Sequence, residues 1–305
     1  MVQPATVTPY EKGRKTLMLL RTRLSFTLMV LAFLALVVVG CSSGGGEPGA
    51  SQEKQNAPKG TFELPNGRSL HIECNGSGSP TVVVEAGLGM PADWMSELQK
   101  PLARQYMTCT YDRANMGSSG KAPTPRTAGE IVSDLHQLLQ TADVADPYVL
   151  VGHSAGGFFV QLYGRRYPDE VVGVVALNAV PHAHPWLERA LPRFNKEERK
   201  EELAFYRGEN DEQIDWLAST KELKKAPPPP PVPFENIIST ELQCEGESEE
   251  YPGPCLKSYD IYEEGEREVA QQWPEGSYRQ VDAYHEIYST KPEVVVDAVK
   301  RATSD

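Results

Sequence analysis

The chain has 305 residues, 40% of them hydrophobic and 24% charged, which is a globular composition and excludes a wholly disordered chain. Its 30 basic and 42 acidic residues give a formal net charge of −12. Residues 1–40 carry five basic side chains and one acidic one, so residues 41–305 carry 25 against 41, a net charge of −16. Because so acidic a body repels nucleic-acid backbones, we expect no nucleic-acid partner.

The N-terminus has the pattern of a secretion signal. Five basic residues between Lys12 and Arg23 precede an uncharged segment, residues 24–40, and Gly40 is followed directly by Cys41. The run VVVGC resembles the lipobox of bacterial lipoproteins, in which the cysteine becomes the acylated first residue of the mature chain. That resemblance implies a signal peptide over 1–40 and attachment of the protein, through a lipid on Cys41, to the extracytoplasmic side of a membrane of the bacterial cell envelope. The alternative is an uncleaved membrane anchor, since a segment of this length just crosses a bilayer.

Residues 41–60 are rich in Gly, Ser, Pro and Gln, and we predict that they form a flexible tether. If Cys41 carries a lipid, an even number of cysteines remains for an oxidising compartment, which favours two disulfides. These cysteines are too widely spaced for a zinc site. They are Cys74, Cys109, Cys244 and Cys255.

From residue 61 onward, short β-type runs alternate with segments of helical periodicity. Strands are predicted at 69–74, 81–85, 107–111, 148–151 and 171–177, and helices at 92–105, 128–141 and 156–167. Strands that alternate with helices indicate a mostly parallel sheet covered by helices, which is the α/β class.

The pattern changes after residue 177. Residues 182–225 are polar, charged and largely helical in periodicity, and five consecutive prolines follow at 227–231. A proline run cannot form a helix or an inner strand, so we predict a stiff polyproline II connector. Further strands are predicted at 234–240 and 278–283, and helices at 263–273 and 291–302. We therefore expect residues 182–232 to be a helical lid insertion in an α/β domain that spans 61–305.

A reactive serine is indicated at the end of a predicted strand. The run YVLVGHSAGG contains Gly152-His153-Ser154-Ala155-Gly156 between a strand and a helix, which is the G-x-S-x-G pattern of a nucleophile elbow. The glycines are needed because a side chain at either position of so tight a turn would collide with neighbouring backbone. We predict that Ser154 is a nucleophile.

With this elbow the chain resembles the α/β-hydrolase superfamily, in its serine-nucleophile, esterase-like branch. The resemblance covers residues 61–305 and also rests on SPTVVVEAGLG at 79–89, YDRANMGSS at 111–119, and YH at 284–285 followed by KPEVV at 291–295. It implies an eight-stranded, mostly parallel sheet covered by helices. It also implies hydrolysis of a small ester or acyl substrate through an acyl-enzyme, without a metal or an organic cofactor, and we expect a monomer.

The resemblance further implies roles for particular residues. His285 is the expected general base, because the triad order in this fold is Ser, acid, His, and His285 alone among the histidines lies between the last predicted strand and the closing helix. The expected oxyanion donors are the amide of Ala155, directly after the nucleophile, and that of Leu88, in the loop after the third strand. Asp112 and Arg113 are expected to form an ion pair that braces this loop.

The acid of the triad is less well defined. Asp260 lies 25 residues before His285, which is the best match by spacing, although no convincing strand directly precedes it. Glu241 and Glu245 follow the better strand and are the alternatives. Some relatives carry an aspartate just after the sixth strand, where this chain has Asn178.

The fold also implies how the cysteines pair. Cys74 and Cys109 fall on the second and fourth strands, which are neighbours in the sheet order of this fold. We further expect a bridge between Cys244 and Cys255, which would close the acidic loop between them and bring the candidate acids near one place.

Two other functions stay open: a non-catalytic lipoprotein that uses the fold for binding, and a peptidase or acyltransferase of the same fold. Activation of Ser154 would separate an enzyme from a binding protein. The apolar side chains of the insertion form either the wall of an acyl pocket or the packing face of the insertion itself. They are Trp186, Leu187, Leu191, Phe194, Leu203, Phe205 and Trp216.

Overall fold

The computed structural model of the protein describes residues 57–180, 182–240, 244 and 252–303, and within them eight strands form one sheet. The strands are β1 Lys59–Glu63, β2 Ser69–Asn75, β3 Thr81–Glu85, β4 Thr108–Tyr111, β5 Tyr148–His153, β6 Val171–Leu177, β7 Pro233–Ser239 and β8 Glu275–Val281. Their order across the sheet is β1-β2-β4-β3-β5-β6-β7-β8. β2 runs antiparallel to β1 and β4, and all other neighbours are parallel. The predicted eight-stranded, mostly parallel sheet is confirmed.

Helices cover both faces of this sheet. Those in the described residues are α1 Ser96–Leu102, α2 Ala128–Thr141, α3 Ala155–Arg166, α4 Ala183–Ala190, α5 Lys196–Tyr206, α6 Trp216–Lys225, α7 Pro254–Gln271, α8 Ile287–Thr290 and α9 Pro292–Ala302. A capping box starts α2: the Thr127 hydroxyl accepts the Glu130 amide, and the Glu130 carboxylate accepts the Thr127 amide.

The central strands are apolar on both faces because both faces are covered. Val83 belongs to the core that includes α2 and α3, whereas its neighbours Val82 and Val84 belong to the core that includes α1 and α9. Successive side chains of a strand point to opposite faces, so a continuous run of valines fills both cores. This is why β3 could be predicted from sequence with its observed bounds.

Two elements differ more from the sequence-based prediction. β1 begins at Lys59, inside the segment predicted as tether. The sequence did not predict this strand, because KGTFE alternates exposed and half-buried residues and lacks a run of strand formers. α7 begins at Pro254, nine residues before the predicted start at 263. Proline is well suited to the first turn of a helix, and the Ser258 hydroxyl donates to the Pro254 carbonyl oxygen within that turn.

Residues 182–232, which we call the helical insertion, contain α4, α5 and α6. Its large side chains pack inward: the ring of Trp216 stacks on Phe159 of α3 with centroids 5.6 Å apart, and that of Trp186 stacks on Tyr206 at 5.5 Å. Phe194 is buried against α7. These contacts favour a packing face of the insertion over the wall of an acyl pocket.

Both predicted disulfides are present. Cys74 and Cys109 lie opposite each other on β2 and β4, and Cys244 is bonded to Cys255 in the first turn of α7. Cys41 and the predicted signal segment lie outside the described residues. No described helix is both long enough and apolar enough to cross a bilayer.

A buried carboxyl group lies between α7 and β7. Glu266 is fully buried, and its Oε2 accepts a hydrogen bond from Asn236 Nδ2 at 2.8 Å, while its Oε1 has no partner in the described structure. Burial raises the pKa of Glu266 to about 8, against the opposing effect of the Asn236 hydrogen bond. The group is therefore mostly protonated in the folded protein at neutral pH.

We expect this proton to make stability depend on pH. The unfolded chain loses the Glu266 proton near its ordinary pKa of 4.5, whereas the folded chain keeps it up to about 8, so the free energy of unfolding falls as the pH rises between these values. Glu266→Gln removes this dependence. The Tm of the variant minus the Tm of the wild type should therefore increase by several degrees from about pH 5 to about pH 9, measured by circular dichroism. Glu264→Gln, on the exposed side of the same helix, is the control, and a Tm difference for Glu266→Gln that is constant with pH would contradict the assignment.

Candidate active site

Ser154 occupies a strained turn between β5 and α3. Its backbone has φ 52° and ψ −116°, a conformation that non-glycine residues rarely adopt and that costs about 1–3 kcal/mol. The Ser154 amide donates to the Leu177 carbonyl oxygen of β6 at 2.9 Å, and its own carbonyl oxygen accepts the amides of Gly157 and Val180 at 3.0 and 3.1 Å. Hydrogen bonds to neighbouring elements thus hold the serine in a backbone conformation that it would not keep in an isolated turn.

Gly152 and Gly156 leave no space for a side chain, as the sequence predicted. A Cβ on Gly152 would collide with the backbone of Gly156, and a Cβ on Gly156 would collide with the carbonyl oxygens of Glu85 and Ala86 at the end of β3. The start of α3 therefore lies directly against the segment that follows β3, residues 86–89, which we call the β3 loop.

We expect Gly156→Ala to destabilise the protein by about 3 kcal/mol or more, because backbone surrounds the new methyl group and cannot give way. The matched control is Gly265→Ala in α7, where a Cβ would meet nothing within 4 Å. That change should stabilise the helix by about 0.5–1 kcal/mol. Thermal unfolding should therefore show a Tm well below the wild type for Gly156→Ala and slightly above it for Gly265→Ala. Equal Tm values for the two variants would contradict the crowding at the elbow.

His285 is held beside this turn by its own backbone. It lies between β8 and α8, and its carbonyl oxygen is 2.8 Å from Asn178 Nδ2 and 3.2 Å from His153 Nε2. The imidazole rings of His153 and His285 lie with their centroids 4.7 Å apart. The structure thus brings His285 next to the residue that precedes Ser154.

Both imidazoles are neutral near pH 7. Burial lowers the pKa of His285 and outweighs the opposing effect of the Glu286 charge. Burial and the proximity of His285 lower the pKa of His153 to about 3. A neutral His285 has the protonation state that a proton acceptor needs.

Asn178 joins the loops that follow three neighbouring strands. It comes directly after β6 with φ 44°, its Oδ1 accepts the Ser239 amide at the end of β7 at 2.8 Å, and its Nδ2 donates to the His285 carbonyl oxygen. A carboxylate at this position could not donate to His285. The residue that replaces the aspartate of some relatives is therefore a structural link here.

The structure does not bring Asp260 to His285. Asp260 lies within α7, its side chain is 66% exposed, and its carboxylate forms an ion pair with Arg193 of the helical insertion, which lowers the pKa of Asp260. Among the described residues it makes no hydrogen bond or ion pair with His285. The spacing along the chain was misleading because residues 254–271 form one helix, so Asp260 does not follow a strand. Glu241 and Glu245, the alternatives, lie outside the described residues.

Arg113 supports the β3 loop from the protein interior. Its guanidinium donates to the carbonyl oxygens of Ala86 and Gly87 at 2.8 and 2.6 Å. It also forms ion pairs with Glu85 at 2.6 Å and with Glu212 of the helical insertion at 2.5 Å. The predicted bracing of the loop by Arg113 is confirmed, with partners that the sequence did not indicate.

The predicted ion pair between Asp112 and Arg113 is wrong. The Asp112 carboxylate instead accepts the backbone amides of Ala92 and Ser118, each at 2.8 Å. The true partners were missed because Glu85 ends a buried apolar strand and Glu212 is 99 residues from Arg113 along the chain.

The two predicted oxyanion donors lie on segments that touch each other. Leu88 belongs to the β3 loop, and Ala155 is the first residue of α3. A Cβ on Gly87 would lie 3.1 Å from His153 Nδ1, so the loop and the elbow are in contact. The described residues therefore place a strained serine, a neutral histidine and the β3 loop at one end of the central strands.

Comparison with known proteins finds similarity over parts of this chain. The family model described as alpha/beta hydrolase fold matches residues 80–224. The protein YqjL of Bacillus subtilis is 36% identical over 103 residues, 34% of this chain and 41% of that protein. RutD of Azorhizobium caulinodans, a carbamate hydrolase by proposed activity, is 30% identical over 120 residues, 39% of this chain and 44% of that protein. The chain thus matches less than half the length of these relatives.

A solved structure is similar to this chain over most of its length. The enol-lactonase of Burkholderia xenovorans LB400 superposes with a TM-score of 0.56 at 19% identity, over 81% of this chain and 100% of that one. Its likeness concerns the fold. Together, the sheet order, the strand-turn-helix at Ser154 and these matches show that the chain has the fold of the α/β-hydrolase superfamily.

Proposed function

We propose that this protein is a serine hydrolase that cleaves carboxylic esters, with Ser154 as nucleophile and His285 as general base. The proposal depends on one observation. The turn at Ser154 is strained, and His285, a neutral histidine in the loop after β8, is held next to that turn. Relatives of this superfamily, such as RutD, support hydrolysis as the type of reaction. Our proposal is more specific than this in two respects: the bond that is cleaved is an ester, and the nucleophile is a serine.

In this mechanism His285 takes the proton of the Ser154 hydroxyl as its oxygen attacks the acyl carbon. The negative charge that develops on the substrate oxygen is stabilised by the amides of Leu88 and Ala155, and the positive end of α3 favours the same charge. The protonated His285 then gives its proton to the leaving alkoxide. Water, activated by the same histidine, releases the acid and restores Ser154.

The acid that orients His285 is proposed to come from the segment after β7. Asn178 ties the end of β7, at Ser239, to the backbone of His285, so β7 ends next to the histidine. Glu241 follows Ser239 by two residues and is our candidate. The surface ion pair of Asp260 argues against the alternative.

We expect a fluorophosphonate probe to label the full-length protein purified in detergent. Ser154→Ala should abolish labelling, and His285→Ala should slow it by about a thousandfold or more, because the serine loses its base. Glu241→Gln should slow it by at least about tenfold, whereas Asp260→Asn should leave the rate within about twofold. Labelling rates are read from gel fluorescence over time.

The matched controls are Ser133→Ala on α2 and His71→Gln on β2, which should label like the wild type. A folded wild type without labelling would contradict the hydrolase and favour a binding role. Slow labelling of Asp260→Asn together with normal labelling of Glu241→Gln would instead assign the acid to Asp260.

We also propose that the protein is held on the extracytoplasmic side of a bacterial membrane by a lipid on Cys41. The main support is the sequence: the basic residues, the uncharged segment 24–40 and the VVVGC run. The two disulfides fit an oxidising compartment of this kind. Two or more acyl chains on Cys41 would make this attachment durable, where one chain would not.

The full chain expressed in a bacterium should incorporate labelled palmitate and sediment with the membrane fraction. Cys41→Ser should lose the label, whereas Ser43→Ala, two residues away, should keep it. A wild type that sediments with the membrane fraction but incorporates no palmitate would show instead an uncleaved anchor.

A further inference from the structure

The helical insertion reaches the β3 loop through one buried carboxylate. Glu212 is 8% exposed and accepts two hydrogen bonds from Arg113, from Nε at 2.8 Å and from Nη2 at 2.5 Å. Its Oε1 also accepts the backbone amide of Gly89 at 2.7 Å. A residue of the insertion between β6 and β7 therefore binds both the loop and the arginine that supports it.

These contacts hold the peptide groups on both sides of Leu88. On one side, the Gly87 carbonyl oxygen accepts Arg113 Nη2 at 2.6 Å; on the other, the Gly89 amide donates to Glu212. In a trans peptide the C=O and the N–H point in opposite directions. The Leu88 N–H is thus directed away from Arg113, and it can rotate only if one of the two contacts breaks.

The charges make Glu212 the ionised partner of Arg113. Burial raises the pKa of Glu85, the other carboxylate on this arginine. Burial also acts to raise the pKa of Glu212, but the charge and hydrogen bonds of Arg113 and the Gly89 amide outweigh it and lower that pKa. Without Glu212 the buried guanidinium would lose its main counter-charge, and the arginine would not keep its position under the loop.

The turn that carries Glu212 is itself attached to the α/β domain. The Arg126 amide donates to the Gln213 carbonyl oxygen, and the Asp215 amide donates to the Arg126 carbonyl oxygen, both at 2.9 Å. Within the turn, the side chain of Asn210 accepts the Ile214 amide at 2.9 Å. Glu212 is therefore presented by a fixed segment.

We propose that Glu212 is a positioning residue for the oxyanion donor: by fixing the β3 loop through Arg113 and Gly89, it aims the Leu88 amide, and the site is complete only while the turn at 210–215 is docked. This inference rests on the proposed serine hydrolase. It makes the insertion a part of the machinery that stabilises the transition state, and not only a cover.

The test compares Glu212→Gln with Glu222→Gln in the full-length protein. Glu222, in α6 of the same insertion, also binds the α/β domain by accepting a backbone amide, that of Gly129 at 2.7 Å, together with the Thr127 hydroxyl at 3.0 Å. The two variants therefore remove the same kind of contact, one at the β3 loop and one at the start of α2.

Three quantities are measured on each variant: kcat and KM for a p-nitrophenyl ester, the inhibition constant of phenylboronic acid, and Tm. The boronic acid binds the serine as a tetrahedral anion, so its affinity reports the oxyanion donors. Glu212→Gln should lower kcat by about 10–100-fold, less than the loss of a whole donor, with KM within about threefold. Inhibition by the boronic acid should weaken by a similar factor.

Glu222→Gln should lower Tm while leaving kcat and the boronic acid affinity within about threefold of the wild type. If Glu212→Gln does not fold, Glu212→Asp, which keeps the charge but withdraws it from Gly89, should show the same losses in a smaller degree. If the wild type is active and the folded Glu212 variant keeps the same kcat and boronic acid affinity, this inference is overturned. The proposed serine hydrolase would then still stand. A folded wild type that neither hydrolyses esters nor binds the fluorophosphonate would overturn the proposed function and this inference with it.

Discussion

The close approach of α3 to the ends of β3 and β5 is the constraint on which the site depends. Only glycine at positions 152 and 156 lets the helix start this near the sheet, and the serine between them is forced into a conformation that it would not choose alone. The cost of that conformation is of the order of 1–3 kcal/mol, which is small beside the burial of two apolar cores. A well-packed sheet can therefore tolerate a strained residue at the end of a central strand.

The loops that follow the strands at this end of the sheet are fixed by buried polar side chains. Asn178 links the ends of β6, β7 and β8, whereas Arg113 with its two carboxylates fixes the loop after β3. In both cases a single planar group with several hydrogen-bonding atoms joins segments that are distant in sequence. Such groups are stable in the interior only when their partners are complete, so each of them restricts the surrounding backbone to one arrangement.

Elements with strong local patterns could be predicted from the sequence, and contacts between distant segments could not. β3, β6 and α2 have their predicted bounds because valine runs and helical periodicity are local signals. β1 was missed because its residues alternate without strong strand formers. Asp260 was a candidate by spacing alone, and the spacing carried no information about the helix that contains it.

The same limit applies to the site. The sequence could propose Ser154 and His285 because a motif indicates the serine and the position after the last predicted strand indicates the histidine. The role of Glu212 could not, because a glutamate in a polar helical segment has no local feature that separates it from its solvent-facing neighbours. Only the fold brings it to Arg113.

The disulfide between Cys74 and Cys109 has a mechanical consequence. A pull on the N-terminal side of the described residues acts first on β1, an edge strand whose only neighbour in the sheet is β2. Once β1 has peeled away, the load passes to β2, whose end is covalently bonded to β4. The crosslink stops the peeling there, before it reaches β3 and β5. The strands that carry the serine and the β3 loop are thus shielded from tension that is applied on the N-terminal side of β1.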